Sequence, residues 1–339
     1  MMRADEITIN IGNSTTRCEV DPVITIGVWI ALLVLMSWII AIVTVDRKVT
    51  GAVYAKSFIF PLCLGLFILL WVLSDLPQAL QDISQLHQTF ISIVGIFLTL
   101  VWLISVAKRD SSIMDIAYPL TAAVPTLVIV ASRDTWSSHE QLIVGLVWLW
   151  AIRLAAHIGV RNLPEGEDPR YASWRKKYGK HWWWWSFFQV FTLQGILITL
   201  WSTPLLFALN GNNASLTSIH LLASVLFVIG FFFQALSDYQ LEKFRKNRKS
   251  KTEILNTGLW SLSRHPNYFG EAVIWWSFGV LGLTHPWGIL GLLAPLYVTW
   301  FMSKGSATPM QERYLSKKKP GYDQYVASVP AFFPRFKRR

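Results

Sequence analysis

Gln234, Asp238 and Arg245 stand at i, i+4 and i+11 in the sequence. If the surrounding segment is helical, that spacing puts them within a narrow arc of one face. An amide, a carboxylate and a guanidinium would then point the same way. The arginine can take a phosphate bidentately, and the acid can accept ribose-type hydroxyls or hold the arginine in place. The same stretch also reads as a basic collar at 243–251 that meets anionic headgroups. The two readings do not exclude each other, and both stay open.

Further along runs Arg264, His265, Pro266, Asn267, Tyr268, Phe269, Gly270 and Glu271. Proline suits the first helical position and pushes the residue before it toward an extended shape, so a helix is expected to start at Pro266, its free N–H groups presented to an anion. Asn267 and Glu271 are one turn apart, and Gly270 leaves room for a backbone or a flat ring. A carboxylate beside an apolar run is costly unless it has a partner or a polar cavity. Glu271 is therefore read as a functional candidate in preference to a helix-to-helix tie. His265 alone is explained as well by a cap or a core donor, and no His/Cys constellation with metal-ligand spacing accompanies it.

The elements that must position these groups are membrane helices. Of 339 residues 53% are hydrophobic and 15% charged, and there are 18 Trp, with a mean hydropathy of +0.39. That is too little polar surface for a water-soluble globule, and Trp is favoured at the headgroup layer. Apolar runs at 23–45, 90–106, 141–158, 187–209 and 219–236 are long enough to span. Shorter or Pro/Gly-interrupted runs at 58–73, 117–131, 272–283 and 286–302 bring the expectation to nine. With the N-terminus outside, three basic residues (Arg3, Arg17, Arg133) fall outside, 27 fall inside and Arg153 lies within a span, which predicts N-out and C-in. The fold class expected is thus an all-α polytopic transmembrane bundle. Residues 1–106 are expected to form N-terminal spans and 107–339 a second transmembrane domain, for which the resemblance given below implies a catalytic role and a cofactor cavity facing the cytoplasm.

The net charge of +11 belongs to the cytoplasmic face, and no nucleic-acid module is visible. Cys18 and Cys63 supply neither a disulfide framework nor a zinc site. Met1 to Asp21 is polar and the apolar run after it is long enough to span, so a retained anchor is expected and not a cleaved signal. Sequons at Asn13 and Asn213 fall in expected outside loops, compatible with an endoplasmic reticulum, while a bacterial inner membrane fits equally.

The order of motifs resembles the steroid 5-alpha-reductase superfamily, in particular its bacterial-type branch, once labelled a domain of unknown function. The resemblance is carried by Arg264 to Glu271, by Arg153, His157 and Arg161 with the block Glu167, Asp168, Pro169, Arg170, Tyr171, and by the tail from Ser306 to Glu312, Pro320 to Tyr325 and Phe332 to Pro334. It covers roughly half the chain. Ala307 departs from the glycine usual in that branch. The resemblance implies an NADPH-dependent reductase that transfers hydride to an activated C=C bond of a steroid-like or other lipid substrate. Its cofactor-binding positions would be Gln234, Asp238, Arg245, Arg264, His265, Asn267, Tyr268, Glu271, Arg313 and Tyr314. Asn267 and Glu271 would lie near the nicotinamide amide, Asp238 near a ribose, and Arg245 with Arg264 or Arg313 on phosphates.

For the catalytic acid the candidates are Tyr171 and Asp168, a phenol beside a carboxylate that can orient it, with Glu271 as a further catalytic residue. Against this, Asp168 can be a helix cap and Arg170 and Arg175 headgroup ligands. Asp115 is a weaker candidate that also reads as an N-cap. A membrane methyltransferase using S-adenosylmethionine, of the isoprenylcysteine carboxyl or phospholipid type, shares an Arg-His-Pro-x-Tyr-x-Gly turn and a late Glu before Tyr-x-x-Tyr, which Glu312 and Tyr322 to Tyr325 match. A scaffold that kept the fold and lost the reaction is the non-enzymatic alternative.

Overall fold

The structure, a computed structural model, describes residues 78–211, 215–305 and 307–336. The expected spans at 23–45 and 58–73 lie outside the described residues. The chain divides into two units between Gln78 and Ala79, and the second, Ala79–Arg339, carries the elements described below apart from Gln78 itself. The division falls well before the 106/107 boundary expected from sequence. The apolar run at 90–106 belongs to the second unit, where Phe90, Val94, Leu98 and Val101 join the buried core.

Among the described residues the architecture is all-helical, without strands. In chain order the α-helices are α1 Gln78–Lys108, α2 Ile113–Ala117, α3 Leu120–Ala131, α4 Ser138–Asn162, α5 Pro169–Tyr178, α6 Trp182–Ser186, α7 Leu193–Trp201, α8 Thr203–Leu209, α9 Ser218–Asn247, α10 Pro266–Gly282, α11 Leu293–Trp300, α12 Ala307–Lys318 and α13 Tyr322–Ser328. Three helices are long and apolar enough to cross a bilayer, those over Gln81–Lys108, Ser138–Asn162 and Ser218–Asn247. A fourth candidate is the segment Pro169–Trp201 with Thr203–Leu209, bent by 49° where Pro204 enters the first turn of α8. These apolar helices are what a membrane protein requires. The shorter expected spans are less regular. The 117–131 run is the 12-residue α3, and the 286–302 run is divided among the 3-10 turn Gly288–Leu292, α11 and a π-turn Phe301–Gly305.

Helix starts follow local chemistry. Ser137 and Glu140 form a capping box at α4. Asp168 caps α5, with Pro169 in its first turn. His265 is non-helical and α10 begins at Pro266, as the sequence predicts. In the first turn of α4, His139 meets His220 at 2.6 Å, and its Nε2 reaches the Ala208 carbonyl at 2.8 Å. This knot joins α4, α8 and α9.

The contact between α9 and α10 is the one that builds the site. A Cβ at Gly230 would lie 2.7 Å from the Ile274 nitrogen, and one at Gly270 would lie 2.5 Å from the Gln234 nitrogen. The two backbones touch there because neither residue has a side chain. That close approach delivers Gln234 and Glu271 to each other from separate helices.

Candidate functional site

Glu271 is buried on α10, and its two carboxylate oxygens are filled. Oε1 accepts from the Trp275 indole at 3.0 Å and the Tyr118 phenol at 3.2 Å, and Oε2 accepts from the Trp150 indole at 3.0 Å. The side-chain amide of Gln234 also donates to Oε2. Four donors thus converge on one carboxyl group that has no cation beside it. Hydrogen bonds to a charged group are about twice as strong as neutral ones, which is how a carboxylate survives among apolar helices. Tyr118, Trp150, Trp201 and Trp275 pack edge-to-face around this centre.

One turn along α9, Asp238 accepts from Arg153 Nη2 at 2.8 Å and from Asn267 Nδ2 at 3.2 Å, with His157 Nε2 at 3.7 Å. Asn267 spends its own oxygen on the Tyr268 N–H. Two buried polar atoms here have no partner, Gln234 Oε1 and Arg153 Nη1. One is an acceptor and the other a donor, and they belong to residues already joined, since Arg153 Nη2 also lies 3.4 Å from the Gln234 carbonyl. A buried polar atom without a partner costs free energy, so this pair is suited to a carboxamide-like group that both donates and accepts.

A third cluster gathers on α2 and α5. The Tyr171 phenol donates to Asp115 at 2.6 Å and accepts from Gln194 Nε2 at 3.3 Å. Arg170 bridges Asp115 and Asp168 at 2.9 Å each. Asp168 accepts from the Arg170 backbone and does not reach the phenol, so the pairing expected between Tyr171 and Asp168 is made by Asp115 instead. The reason is local: as N-cap, Asp168 turns its oxygens toward the α5 backbone. Burial raises the Asp115 carboxyl above the usual range, although Arg170 and the Tyr171 phenol act the other way. For Asp168, burial is outweighed by the bonds from Arg170, and its carboxyl titrates below the usual range.

Tyr268 connects these clusters. Burial raises its phenol, while Arg170 and Arg161, which lower it, and Asp238, which raises it, all act on it electrostatically. Its ring stacks on His265 at 5.3 Å. Arg161 also acts on Asp115, Asp168, His157 and Arg245. Arg245 and Arg248 repel each other across the end of α9, and burial together with these two arginines draws Lys319 below the usual lysine range. Among the described residues, none of Arg161, Arg245, Arg248 and Lys319 has a carboxylate within ion-pair distance. Four cations without a direct ion pair form a surface that favours an anion.

Arg264 is placed elsewhere. It is buried, bonded through Nε to Glu312 at 2.7 Å and through Nη1 to the carbonyls of Val326 and Val329, and its backbone N–H donates to Pro330. It is a latch for the C-terminal tail, and its charge is spent there and not on a phosphate. His265 Nε2 reaches the same Glu312 oxygen at 3.3 Å. Arg313 and Tyr314 are exposed on α12, Tyr314 by 59%, and neither joins the buried clusters.

Burial would raise Glu312, but its bonds from His265 and Arg264 outweigh that and hold it at about 2, against an ordinary 4.5. A depressed carboxylate stabilises the folded state above its unfolded value, and that contribution disappears as pH falls from about 4.5 toward 2. On the order of 2 kcal/mol of tail docking should be lost over that window. Limited proteolysis between α12 and α13 at pH 5 and at pH 3 would read it. Equal protection at both would refute the latch.

The residues sequence reasoning passed over are Tyr118, Trp150 and Trp275, which complete the box around Glu271, and Arg153 and Arg161, noted only as motif members. No periodicity marks them, because indoles and a phenol in apolar helices look like core.

With this geometry in place, comparison with known proteins gives the family. A model described as "Protein of unknown function (DUF1295)" matches residues 101–329, and the chain belongs to that family, the steroid 5-alpha-reductase-like domain group. An uncharacterized protein of Schizosaccharomyces pombe is 25% identical over 276 residues, covering 72% of this chain and 79% of its own. The nickel-cobalt-cadmium resistance protein NccN of Alcaligenes xylosoxydans xylosoxydans is 29% identical over 36% of this chain, and the cobalt-zinc-cadmium resistance protein CzcN of Cupriavidus metallidurans is 27% identical over 40% of it. The chain spans about half the length of these two resistance proteins, 52% of each. No solved structure matches. Among the described residues no group of three His, Cys, Asp or Glu is placed to hold a metal ion.

Proposed function

We propose that the protein is a membrane-embedded reductase that uses NADPH to reduce an activated C=C bond of a steroid-like or other lipid substrate. In this reading it has about nine spans, N-out and C-in, with the site facing the cytoplasm. The observation that carries the reading is the set of cations without an ion pair among the described residues, Arg161, Arg245, Arg248 and Lys319, the last donating to the Glu253 carbonyl, together with the unpartnered Gln234 Oε1 and Arg153 Nη1. A dinucleotide needs both features, since its phosphates take the cations and its carboxamide takes an acceptor and a donor.

NADPH, when bound, supplies the hydride. The chain's own residues do the rest. Arg161 and Arg245 hold phosphate charge, Gln234 and Arg153 orient the carboxamide, and Glu271 fixes Gln234 through its amide so that Oε1 faces away from the box. Asp238 has acceptor capacity left for a hydroxyl beside its bonds to Arg153 and Asn267. Tyr171 holds a phenolic proton on Asp115, positioned to be given to the substrate as electron density moves onto its carbonyl oxygen.

A second reading rests on the junction of Arg264, His265 and Glu312, the residues expected of a membrane methyltransferase that uses S-adenosylmethionine. One experiment separates the two. The detergent-solubilised protein is titrated with NADPH, NADH and S-adenosylmethionine against thermal unfolding, since a ligand at a hundred times its Kd stabilises by about 2.7 kcal/mol. A shift with NADPH that Arg245→Ala and Arg161→Ala reduce is the expected result. A shift with S-adenosylmethionine alone would make the protein a methyltransferase.

A further inference from the structure

A cavity of about 310 Å³ opens where α1 ends against the tryptophan-rich turn of α6, lined by Ser105, Arg109, Ser111, Arg175, Trp182 and Trp183 among others. It lies outside the clusters described above. Its polar wall is built and buried: Ser105 and Ser111 are each only 1% exposed. The Ser111 hydroxyl accepts from the Trp182 indole at 3.1 Å and from Arg175 Nη2 at 3.4 Å, and the Glu167 carboxylate, which the Ser111 backbone N–H reaches at 2.8 Å, also draws on that hydroxyl. Ser105 is the second hydroxyl on that wall.

The charge at the mouth is positive. Arg175 shares its Nε and Nη2 with Glu167 and keeps Nη1 free of it. Arg109 is exposed and has no ion pair among the described residues. Its φ of +54° is a left-handed conformation that non-glycine residues rarely adopt, and it turns the chain out of α1 into the cavity wall. Lys108 stands beside it.

Depth identifies the ligand. Ser105 and Lys108 are in the last turn of a helix long and apolar enough to cross a bilayer, so the cavity sits at headgroup level. Trp183 is 55% exposed there, its carbonyl fixed by the Trp102 indole at 2.9 Å, and exposed indoles mark the interface layer. We propose that this cavity binds the phosphate headgroup of an anionic membrane lipid, with Arg109 and the free Nη1 of Arg175 on the phosphate, Ser105 on the polar wall beside it, and the acyl chains leaving past Trp183 along α1.

The test uses the full chain in a neutral detergent, with phosphatidic acid, phosphatidylcholine and soluble glycerol 3-phosphate titrated by native mass spectrometry. Phosphatidic acid should bind at least about tenfold more tightly than phosphatidylcholine, and Arg109→Gln should remove about that factor, the worth of a charge-assisted bond. Ser105→Val, which fills part of the cavity without touching a charge, should weaken it as well. Arg335→Gln, an exposed cation elsewhere, should not. Equal binding of the two lipids, or equal losses in Arg109→Gln and Arg335→Gln, would overturn the site. Competition by glycerol 3-phosphate at lipid-like concentrations would replace the lipid by a soluble phosphate compound and overturn the membrane assignment.

Discussion

Glu271→Leu is expected to lose several kcal/mol of stability and to fail as a folded species in detergent. The substitution strands two indole N–H groups, a phenol and an amide in an apolar interior. Each buried donor left without an acceptor costs about 1–3 kcal/mol, against a total stability of roughly 5–15 kcal/mol for a typical domain. Glu271→Gln keeps the shape and one acceptor but turns its own amide toward a donor, so an intermediate loss of about 2–3 kcal/mol is expected. Size-exclusion monodispersity and the melting temperature read both variants. If Glu271→Leu melts like the parent and loses only NADPH affinity, the carboxylate is a ligand contact and not the centre of the box. A carboxyl group with four donors on it has little left to offer a cofactor directly, and in the proposed site it acts through Gln234.

Tyr171→Phe is expected to lower turnover of an enone lipid by about 10²–10⁴-fold, the usual worth of a positioned general acid, with NADPH affinity within about twofold of the parent. Asp115→Asn should act in the same direction, since Asp115 holds the phenol at 2.6 Å. Asp168→Ala should cost about 1 kcal/mol of stability through the lost cap and leave the proton path in place. Steady-state rates with separately measured cofactor binding distinguish these. A normal rate in Tyr171→Phe, with loss in Tyr118→Phe, would move the proton source to the phenol on Glu271.

Much of this arrangement is legible in the sequence where a local rule fixes it. Pro266 starts α10, Asp168 caps α5, and α9 does continue past its apolar part to Asn247, so Gln234 and Asp238 lie on one buried stretch of it. The role of Gly270 as a place of close approach is also readable, and the partner is the Gly230 backbone. Tertiary partners are not legible. That Tyr171 meets Asp115, 56 positions away, or that Glu271 draws an indole from Trp150, 121 positions away, depends on helix crossings that no spacing encodes. Arg264 misleads for the same reason: a motif arginine looks like a phosphate ligand until the tail carbonyls that occupy it are seen. Span counting falters where Pro and Gly break the apolar runs, as at α3 and from Gly288 to Gly305.

The tail latch also bears on biosynthesis. Arg264 must enter the membrane surface while Val326, Val329 and Pro330, which receive its hydrogen bonds, are still being translated. Until Val329 is in place the guanidinium has Glu312 as its carboxylate partner but lacks the tail carbonyls that fill Nη1. A chain truncated before Val326 should therefore leave this arginine half-bonded at the bilayer edge.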